Sequence, residues 1–137
     1  MPFVKANPVR DPEARQAWAY RHPYCTACGI DAVAAYRERW PGLECHHIVK
    51  PGREDSACNL LRLCHRCHSL AEGLSIRVDG VLLPKLPLAV CLTIKLVRNP
   101  DEFDAVRLAQ LYHRALPEME PIPAVIEAEY VRRRGTQ

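Results

Sequence analysis

Four cysteines stand in two short pairs that could close around one metal ion. Cys25 and Cys28 form the first C-x-x-C pair, and Cys64 and Cys67 form the second, well downstream. A C-x-x-C turn lets two thiolates approach one ion at tetrahedral angles, and two such turns fill all four positions. The pattern predicts a structural zinc ion that holds distant parts of the chain together. Buried or redox-active thiols are the alternative, which the paired spacing disfavours.

Histidines and an asparagine form a second pattern around these cysteines. His46 and His47 are adjacent, Asn59 comes after a loop, and His68 directly follows the last cysteine. Neutral imidazole accepts a proton at about pH 6.5 and also binds divalent metals. A metal held by two imidazoles keeps coordination positions open for water or a substrate. One residue set therefore predicts a closed metal site, and the other predicts a site open to substrate.

In order and spacing, these residues resemble the HNH nuclease motif in its zinc-stabilised, four-cysteine form. The resemblance covers residues 12–72, about half of the chain, and rests on Glu44-Cys45-His46-His47-Ile48, Asn59-Leu60 and the run from Leu63 to His68. It implies an α+β fold of the His-Me finger type, whose ββα-metal nuclease core places two strands and a helix around one divalent ion. It also implies DNA hydrolysis that leaves 5′-phosphate and 3′-hydroxyl ends.

The resemblance assigns a role to each residue of the second pattern. His47 would be the general base that deprotonates the attacking water, and His46 and His68 would hold the catalytic metal. Asn59 would fix the second strand and, through the backbone, orient the His47 imidazole. Many family members have an aspartate where His46 stands, and a second imidazole favours Mn²⁺, Ni²⁺, Co²⁺ or Zn²⁺ over Mg²⁺. Because neighbouring residues of a regular strand point to opposite faces, the alternative is that one of the adjacent histidines is structural.

The chain is only weakly basic, with a formal charge of +3 that four thiolates around a zinc ion would lower further. Attraction to DNA must then come from a local basic face and not from the net charge. Basic side chains close to the motif are candidate phosphate contacts, with ordinary surface charge as the equally weighted alternative for each one. They are Lys50, Arg53, Arg62 and Arg66.

Two other functions fit parts of the pattern. One is a catalytically inactive, zinc-stabilised nucleic-acid-binding module, which the presence of every motif position disfavours. The other is a zinc-knuckle protein-interaction domain, for which the residues after Cys67 give no support. Compact HNH proteins occur in phages, mobile elements and defence systems. A second copy of the chain or a protein of such a system is therefore a candidate partner besides DNA.

Composition favours a globular protein of a reducing compartment. The 137 residues are 48% hydrophobic, which allows a real core. We find no apolar secretion signal in the first residues and no stretch near the roughly 18 apolar residues of a membrane span. Seven cysteines with two C-x-x-C pairs then indicate metal binding in the cytoplasm and not disulfides. Cys45, Cys58 and Cys91 do not pair by spacing and are expected to be small buried residues.

Caps, prolines and periodicity predict the elements that must position these residues. Asp11-Pro12-Glu13 starts a helix that ends near Tyr20, before His22-Pro23. Asp79-Gly80 between apolar residues predicts a hairpin at 76–83. The apolar stretch 88–97 is either helix or strand, since its periodicity does not decide. The other predicted elements are helices at 31–40, 64–72, 100–116 and 122–134, strands at 43–49 and 59–63, and a loop at 50–58.

We expect three segments along the chain. Residues 1–10 form an irregular arm, residues 11–73 form the nuclease core with its zinc site, and residues 74–137 form a mostly helical extension with a β-hairpin, packed on the core. The apolar stretch 86–97 needs a surface to cover it. Ala17, Trp18 and Tyr20 of the first helix are the expected surface.

Overall fold

A computed structural model of the chain describes residues 7–38 and 42–115, together with Ala124 and Ala128. These residues form a small α+β fold with two antiparallel sheets of two strands each. The expected arm at 1–6 and most of the expected helix at 122–134 lie outside the described residues. The helices are α1 (Pro12–Tyr20), α2 (Ala32–Glu38), α3 (His65–Ala71), α4 (Leu88–Arg98) and α5 (Ala105–Ala115), and the strands are β1 (Leu43–His47), β2 (Leu60–Cys64), β3 (Arg77–Val78) and β4 (Val81–Leu82).

Local sequence signals explain how both N-terminal helices start. The Asp11 carboxylate accepts a hydrogen bond from the Ala14 amide at 3.0 Å, and Pro12 occupies the first turn, where an amide would have no partner. Asp31 caps α2 in the same way, through the Ala34 amide at 2.8 Å. The prediction of a helix from Asp11 to Tyr20 is confirmed.

The central sheet pairs β1 with β2 in antiparallel register, with His47 opposite Leu60. β1 ends at His47 and not at residue 49, because the amide of Val49 donates to the side chain of Asn59, at 2.7 Å, and not to a strand. Asn59 itself belongs to a 3₁₀ turn, so β2 begins one residue later than the sequence predicted. This turn closes the loop between the two strands.

Helix α3 follows β2 without a linker. Cys64 is both the last residue of the strand and the N-cap of the helix, and its Sγ accepts a hydrogen bond from the Cys67 amide at 3.5 Å. Glu72 caps the other end of α3. The second cysteine pair, His68 and Glu72 therefore lie on or beside one short helix.

One hydrophobic core joins the two halves of the chain. The stretch whose state the sequence left open is helix α4. Its predicted contact with the first helix is present at Trp18, whose buried ring has its centre 5.2 Å from Lys95 Nζ, and is wrong for Tyr20, which is 86% exposed. Ala17 is also exposed. Residues two apart on a helix do not share a face, so the helix turns Tyr20 outward when it buries Trp18. Buried residues of β2, α4 and α5 meet in this core, among them Leu61, Leu63, Cys91, Leu92, Leu108 and Leu111.

Two buried charge pairs fasten the C-terminal half to the rest of the fold. Lys95 of α4 is fully buried, and its Nζ lies 2.6 Å from Glu102 Oε1, which also accepts from the Trp18 indole at 3.1 Å. Glu54, in the loop between β1 and β2, is fully buried too and accepts from Arg107 Nε of α5 at 2.7 Å. Both buried charges are therefore paired with an opposite charge. An unpaired charge at either position would strongly destabilise the fold. The loop that follows His47 is thereby braced by α5.

The predicted hairpin is present at β3 and β4, which pair in antiparallel register. Its two turn residues, Asp79 and Gly80, have φ angles of 51° and 77°. Positive φ at both central positions is the conformation that a two-residue hairpin turn needs. The Asp-Gly signal therefore located the turn correctly.

The helix predicted at 100–116 is interrupted. A 3₁₀ turn covers Pro100–Glu102, and Phe103 is extended with its side chain buried. Asp104 then caps α5, because its Oδ1 accepts from the Arg107 amide at 3.0 Å. Burial of Phe103 and the Asp104 cap together stabilise the fold more than the uninterrupted helix at 100–116 would have done.

Candidate metal centres and cleft

The four cysteines of the two C-x-x-C pairs converge on one point. Their sulfur atoms all lie within 4.8 Å of one another, and Cys28 Sγ is 3.8 Å from Cys64 Sγ. A tetrahedral ion with metal–sulfur distances of about 2.3 Å separates its sulfurs by about 3.8 Å. The cluster is therefore compatible with a structural metal ion, and its four donors would fill the coordination sphere.

The protonation of the clustered thiols also fits a bound metal ion. Hydrogen bonding to the Cys64 sulfur raises the pKa of Cys25, and hydrogen bonding to Cys25 raises that of Cys67, with burial adding to both. Without a cation, the Cys25 and Cys67 thiols would hold their protons. A coordinated metal reverses this, because a thiol that binds a metal is deprotonated. No disulfide joins any of the cysteines that the structure describes.

Two of the three cysteines outside this cluster are buried, as predicted. Burial raises the pKa of Cys58 to about 12 and that of Cys91 to about 11, so both stay protonated. Cys45 differs from the prediction because it is only half-buried. Its Sγ lies 3.7 Å from Nη1 of Arg62, the residue opposite it on β2.

A second set of donors comes together beside α3. Ligand atoms of His46, His68 and Glu72 lie within 4.8 Å of one another. His46 Nδ1 is 3.5 Å from Glu72 Oε1, and His68 Nε2 is 3.2 Å from the same oxygen. Among the residues that the structure describes, the buried His46 Nδ1 has no hydrogen-bond partner. Because buried polar atoms are nearly always bonded, this unpartnered nitrogen is the observation that fits a metal at this position.

Glu44 sets the orientation of one of these imidazoles. Its Oε1 lies 2.5 Å from His68 Nδ1, so Nδ1 carries the proton and the Nε2 lone pair is directed to the Glu72 side. A carboxylate partner of this kind is usual for metal-binding histidines. Sequence reasoning missed Glu72, although its i,i+4 spacing from His68 on a predicted helix was a visible signal.

His46 has the protonation state that a ligand needs. Burial, followed by the proximity of His68, lowers its pKa from 6.5 to about 4. The imidazole is therefore neutral across the physiological range and needs to lose no proton before it binds a cation.

His47 contacts different partners from its neighbour, as strand alternation requires. Its Nε2 is 2.8 Å from Oδ1 of the buried Asp55. Asp55 also accepts from the Asp11 amide at 2.8 Å and from Arg15 Nη1 at 3.2 Å. Burial alone would raise the pKa of Asp55, but the hydrogen bonds from His47 and the Asp11 amide outweigh it and lower that pKa. The Asp55 carboxylate is thus ionised and accepts a hydrogen bond from Nε2 of His47. The lone pair of the neutral imidazole is then on Nδ1.

Asn59 is bonded to the loop that follows His47. Its side chain is fully buried, and its Nδ2 donates to the carbonyls of Val49 and Glu54, both at 3.1 Å. These bonds hold the two ends of the loop together. The side chain that contacts the His47 ring is Asp55, which sequence reasoning missed because nothing in the loop pattern distinguishes it from a solvated carboxylate.

The residues around His47 and those around α3 meet at a common cavity of about 270 Å³, here called the cleft. His47, His68 and Glu72 line it together with Cys45, Lys50 and Arg53. Two of the four predicted phosphate contacts, Lys50 and Arg53, therefore lie at the cleft. Arg62 lines an adjoining cavity, and Arg66 is half-buried on α3 and lines neither.

Comparison with protein-family models, with curated proteins and with solved structures gives no match for this chain. In the part of the chain that the structure describes, no helix is both long and apolar enough to cross a membrane. What the protein does must therefore be argued from the geometry of its sites.

Proposed function

We propose that this protein is a metal-dependent DNA endonuclease of the HNH type, with His47 as its general base. The observation that carries the proposal is the cleft that His47 shares with His68 and Glu72. Hydrolysis of a phosphodiester needs a base for the water and a cation for the phosphate within one cavity. The succession of β1, β2 and α3 around this cleft supports the ββα-metal core that the sequence resemblance implies.

The donor sets support two ions of different kinds. The four cysteines would hold a structural zinc ion. His46 Nδ1, His68 Nε2 and Glu72 Oε1 would hold the catalytic divalent ion. That ion, when bound, supplies positive charge to the phosphate as the transition state forms. With two nitrogen ligands, we expect Mn²⁺, Co²⁺, Ni²⁺ or Zn²⁺ to support more activity than Mg²⁺.

The bond to Asp55 prepares His47 to take a proton from water. Because Nε2 donates to the carboxylate, the neutral tautomer with a free Nδ1 lone pair is the favoured one. Once Nδ1 accepts the proton, Asp55 stabilises the imidazolium that has formed. The attacking water oxygen bonds to phosphorus and the 3′ oxygen leaves, which gives the 5′-phosphate and 3′-hydroxyl ends expected of the family.

Lys50 and Arg53 would offset the charge of the DNA backbone. Both line the cleft, and Arg53 is exposed there. Lys50 forms an ion pair with Glu72, so a substrate phosphate competes with that carboxylate for the ammonium group. Contacts of this kind supply affinity that does not depend on sequence.

Cleavage of supercoiled plasmid tests the proposal. The wild type is expected to nick the plasmid with Mn²⁺, and His47→Gln is expected to be slower by about 10²- to 10⁴-fold. His65→Gln is the matched control, since His65 is an exposed histidine of α3 outside the cleft and a glutamine amide can keep its hydrogen bond to Glu44. It should cut at the wild-type rate.

Two outcomes would contradict the proposal. Equal cutting by wild type and His47→Gln would exclude His47 as the base. A wild type that binds DNA but cuts with none of Mg²⁺, Mn²⁺, Co²⁺, Ni²⁺ and Zn²⁺ would instead favour a catalytically inactive nucleic-acid-binding module.

A further inference from the structure

A second, larger cavity adjoins the cleft, and we propose that this cavity binds unpaired nucleotides beside the cleaved phosphate. The proposal rests on the nuclease function above and names its substrate class, which is DNA with a single-stranded segment at the cut. The cavity measures about 520 Å³ and lies between α1 and the β1–β2 sheet. It is here called the α1 groove, and its lining includes Arg15, Gln16, Tyr20, Cys45 and Arg62.

The α1 groove adjoins the cleft at β1. Cys45 lines both cavities. Cys45 and His47 are alternate residues of β1 and therefore lie on the same face of the strand. A nucleic acid strand that passes His47 could therefore continue over Cys45 into the groove and stay on the same face of the sheet.

The charge of the α1 groove suits a polyanion. Its described lining holds two guanidinium groups, those of Arg15 and Arg62, and no carboxylate. Arg62 Nε donates to the His22 carbonyl at 3.2 Å, and Arg15 Nη1 donates to Asp55 at 3.2 Å. Both cations are thus held in place before a ligand arrives, which lowers the cost of ordering them on binding.

Tyr20 makes the groove suitable for bases as well as for phosphates. Its side chain is 86% exposed, whereas Trp18 on the same helix is 2% exposed. An exposed aromatic ring beside cationic groups is the usual means of holding a single strand, because any base can stack on the ring. Bases inside a duplex already stack on one another and cannot use it. The groove is therefore expected to select unpaired nucleotides.

Fluorescence anisotropy with the full chain and no added divalent metal tests this selection. The probes are a labelled oligothymidylate and a labelled duplex of the same length. Tyr20→Ala should weaken binding of the single strand by about 5- to 100-fold, whereas Tyr20→Phe, which keeps the ring, should stay within about two-fold of the wild type. Duplex binding should not change with either variant.

Tyr24→Ala is the matched control. Tyr24 is also an exposed tyrosine, but it lines a separate cavity next to the first cysteine pair. Its removal should leave single-strand binding unchanged. Because the Tyr20 side chain is mostly exposed, the Tyr20 variants should unfold at the wild-type temperature, which circular dichroism checks.

Three results would overturn the proposal. They are unchanged single-strand binding by Tyr20→Ala, an equal loss on single strand and duplex, and displacement of the oligothymidylate by polyglutamate as readily as by unlabelled oligothymidylate. The last result would mean that the groove binds an acidic peptide and that binding does not depend on bases stacking on Tyr20. Since binding is read without cleavage, these results are independent of the plasmid assay. A loss with Tyr20→Ala in a protein that cuts nothing would support the groove and contradict the nuclease.

Discussion

The two metal-compatible sites of this protein differ in how they use their donors. In the four-cysteine site, three of the four residues are buried, and the four sulfurs would fill a tetrahedral ion. In the histidine site, burial decreases from His46 through His68 to the exposed Glu72, and the last two line the cleft. A filled coordination sphere can only stabilise the fold. Three donors at the edge of a cavity leave room for water and a phosphate oxygen.

The two sites are adjacent in sequence but directed differently in space. Cys67 belongs to the sulfur cluster, and His68 belongs to the histidine site. Consecutive residues of a helix are rotated by about 100° from each other. One turn of α3 can therefore serve two ions, and the fold around the first site positions the donors of the second.

The largest effect should come from opening the closed site. Cys64→Ser is expected to abolish cooperative unfolding, since a structural zinc ion contributes about 10 kcal/mol or more to folding. The control is Cys91→Ala, a buried cysteine outside the cluster, which should stay folded and keep its metal. Thermal unfolding by circular dichroism and metal content by mass spectrometry are the measurements. A Cys64→Ser protein that unfolds like the wild type would show that the cluster binds no structural ion.

How far the sequence predicted these sites depends on how local each signal is. The C-x-x-C pairs, the Asp11 cap and the Asp79-Gly80 turn depend on neighbours in the chain, and the structure has all three where they were expected. Asp55 acquires its contact with His47 only when the loop folds back over β1. No local pattern contains that information.

Contacts between distant parts of the chain also determine features that sequence periodicity cannot predict. Lys95 carries a charge, yet it is fully buried against Glu102 and beside the Trp18 ring. Glu72 lay within reach of a helical-spacing argument, because it stands one turn after His68. Its role depends on β1 bringing His46 to the same place.

A smaller effect is expected at the open site when its orienting group is removed. Glu44→Ala leaves His68 free to rotate and to change tautomer, so metal affinity at the histidine site should fall by about 10- to 100-fold. The structural ion should remain bound. Calorimetric titration with Mn²⁺ measures the affinity, with Glu13→Ala on the exposed first turn of α1 as the control. Loss of both ions, or of neither, would contradict the separation of the sites.

The smallest effect is on the pH dependence of the free energy of unfolding, to which the buried His46 of the open site contributes. Between pH 6.5 and pH 4 the unfolded chain binds a proton at His46 that the folded chain resists, so the free energy of unfolding falls as pH falls through this range. His46→Asn removes this contribution. From about pH 6.5 to about pH 5, the wild type should lose about 1.5 kcal/mol more than the variant.

Urea unfolding of both proteins without added divalent metal measures this difference. Any loss of the structural ion in acid is common to the two proteins and cancels when they are compared. Parallel pH profiles would contradict a buried, neutral His46.

The division into a closed and an open site depends most on the assignment of Cys67 and His68 to different ions. Titration of the metal-free protein with Co²⁺ tests it directly, because thiolate ligands give cobalt a charge-transfer absorption that imidazole and carboxylate ligands do not. His68→Ala is expected to keep the full thiolate band at the first equivalent and to lose a second, weaker binding event. If His68→Ala instead reduces the thiolate band, His68 belongs to the cysteine site, and the division into a closed and an open site is wrong.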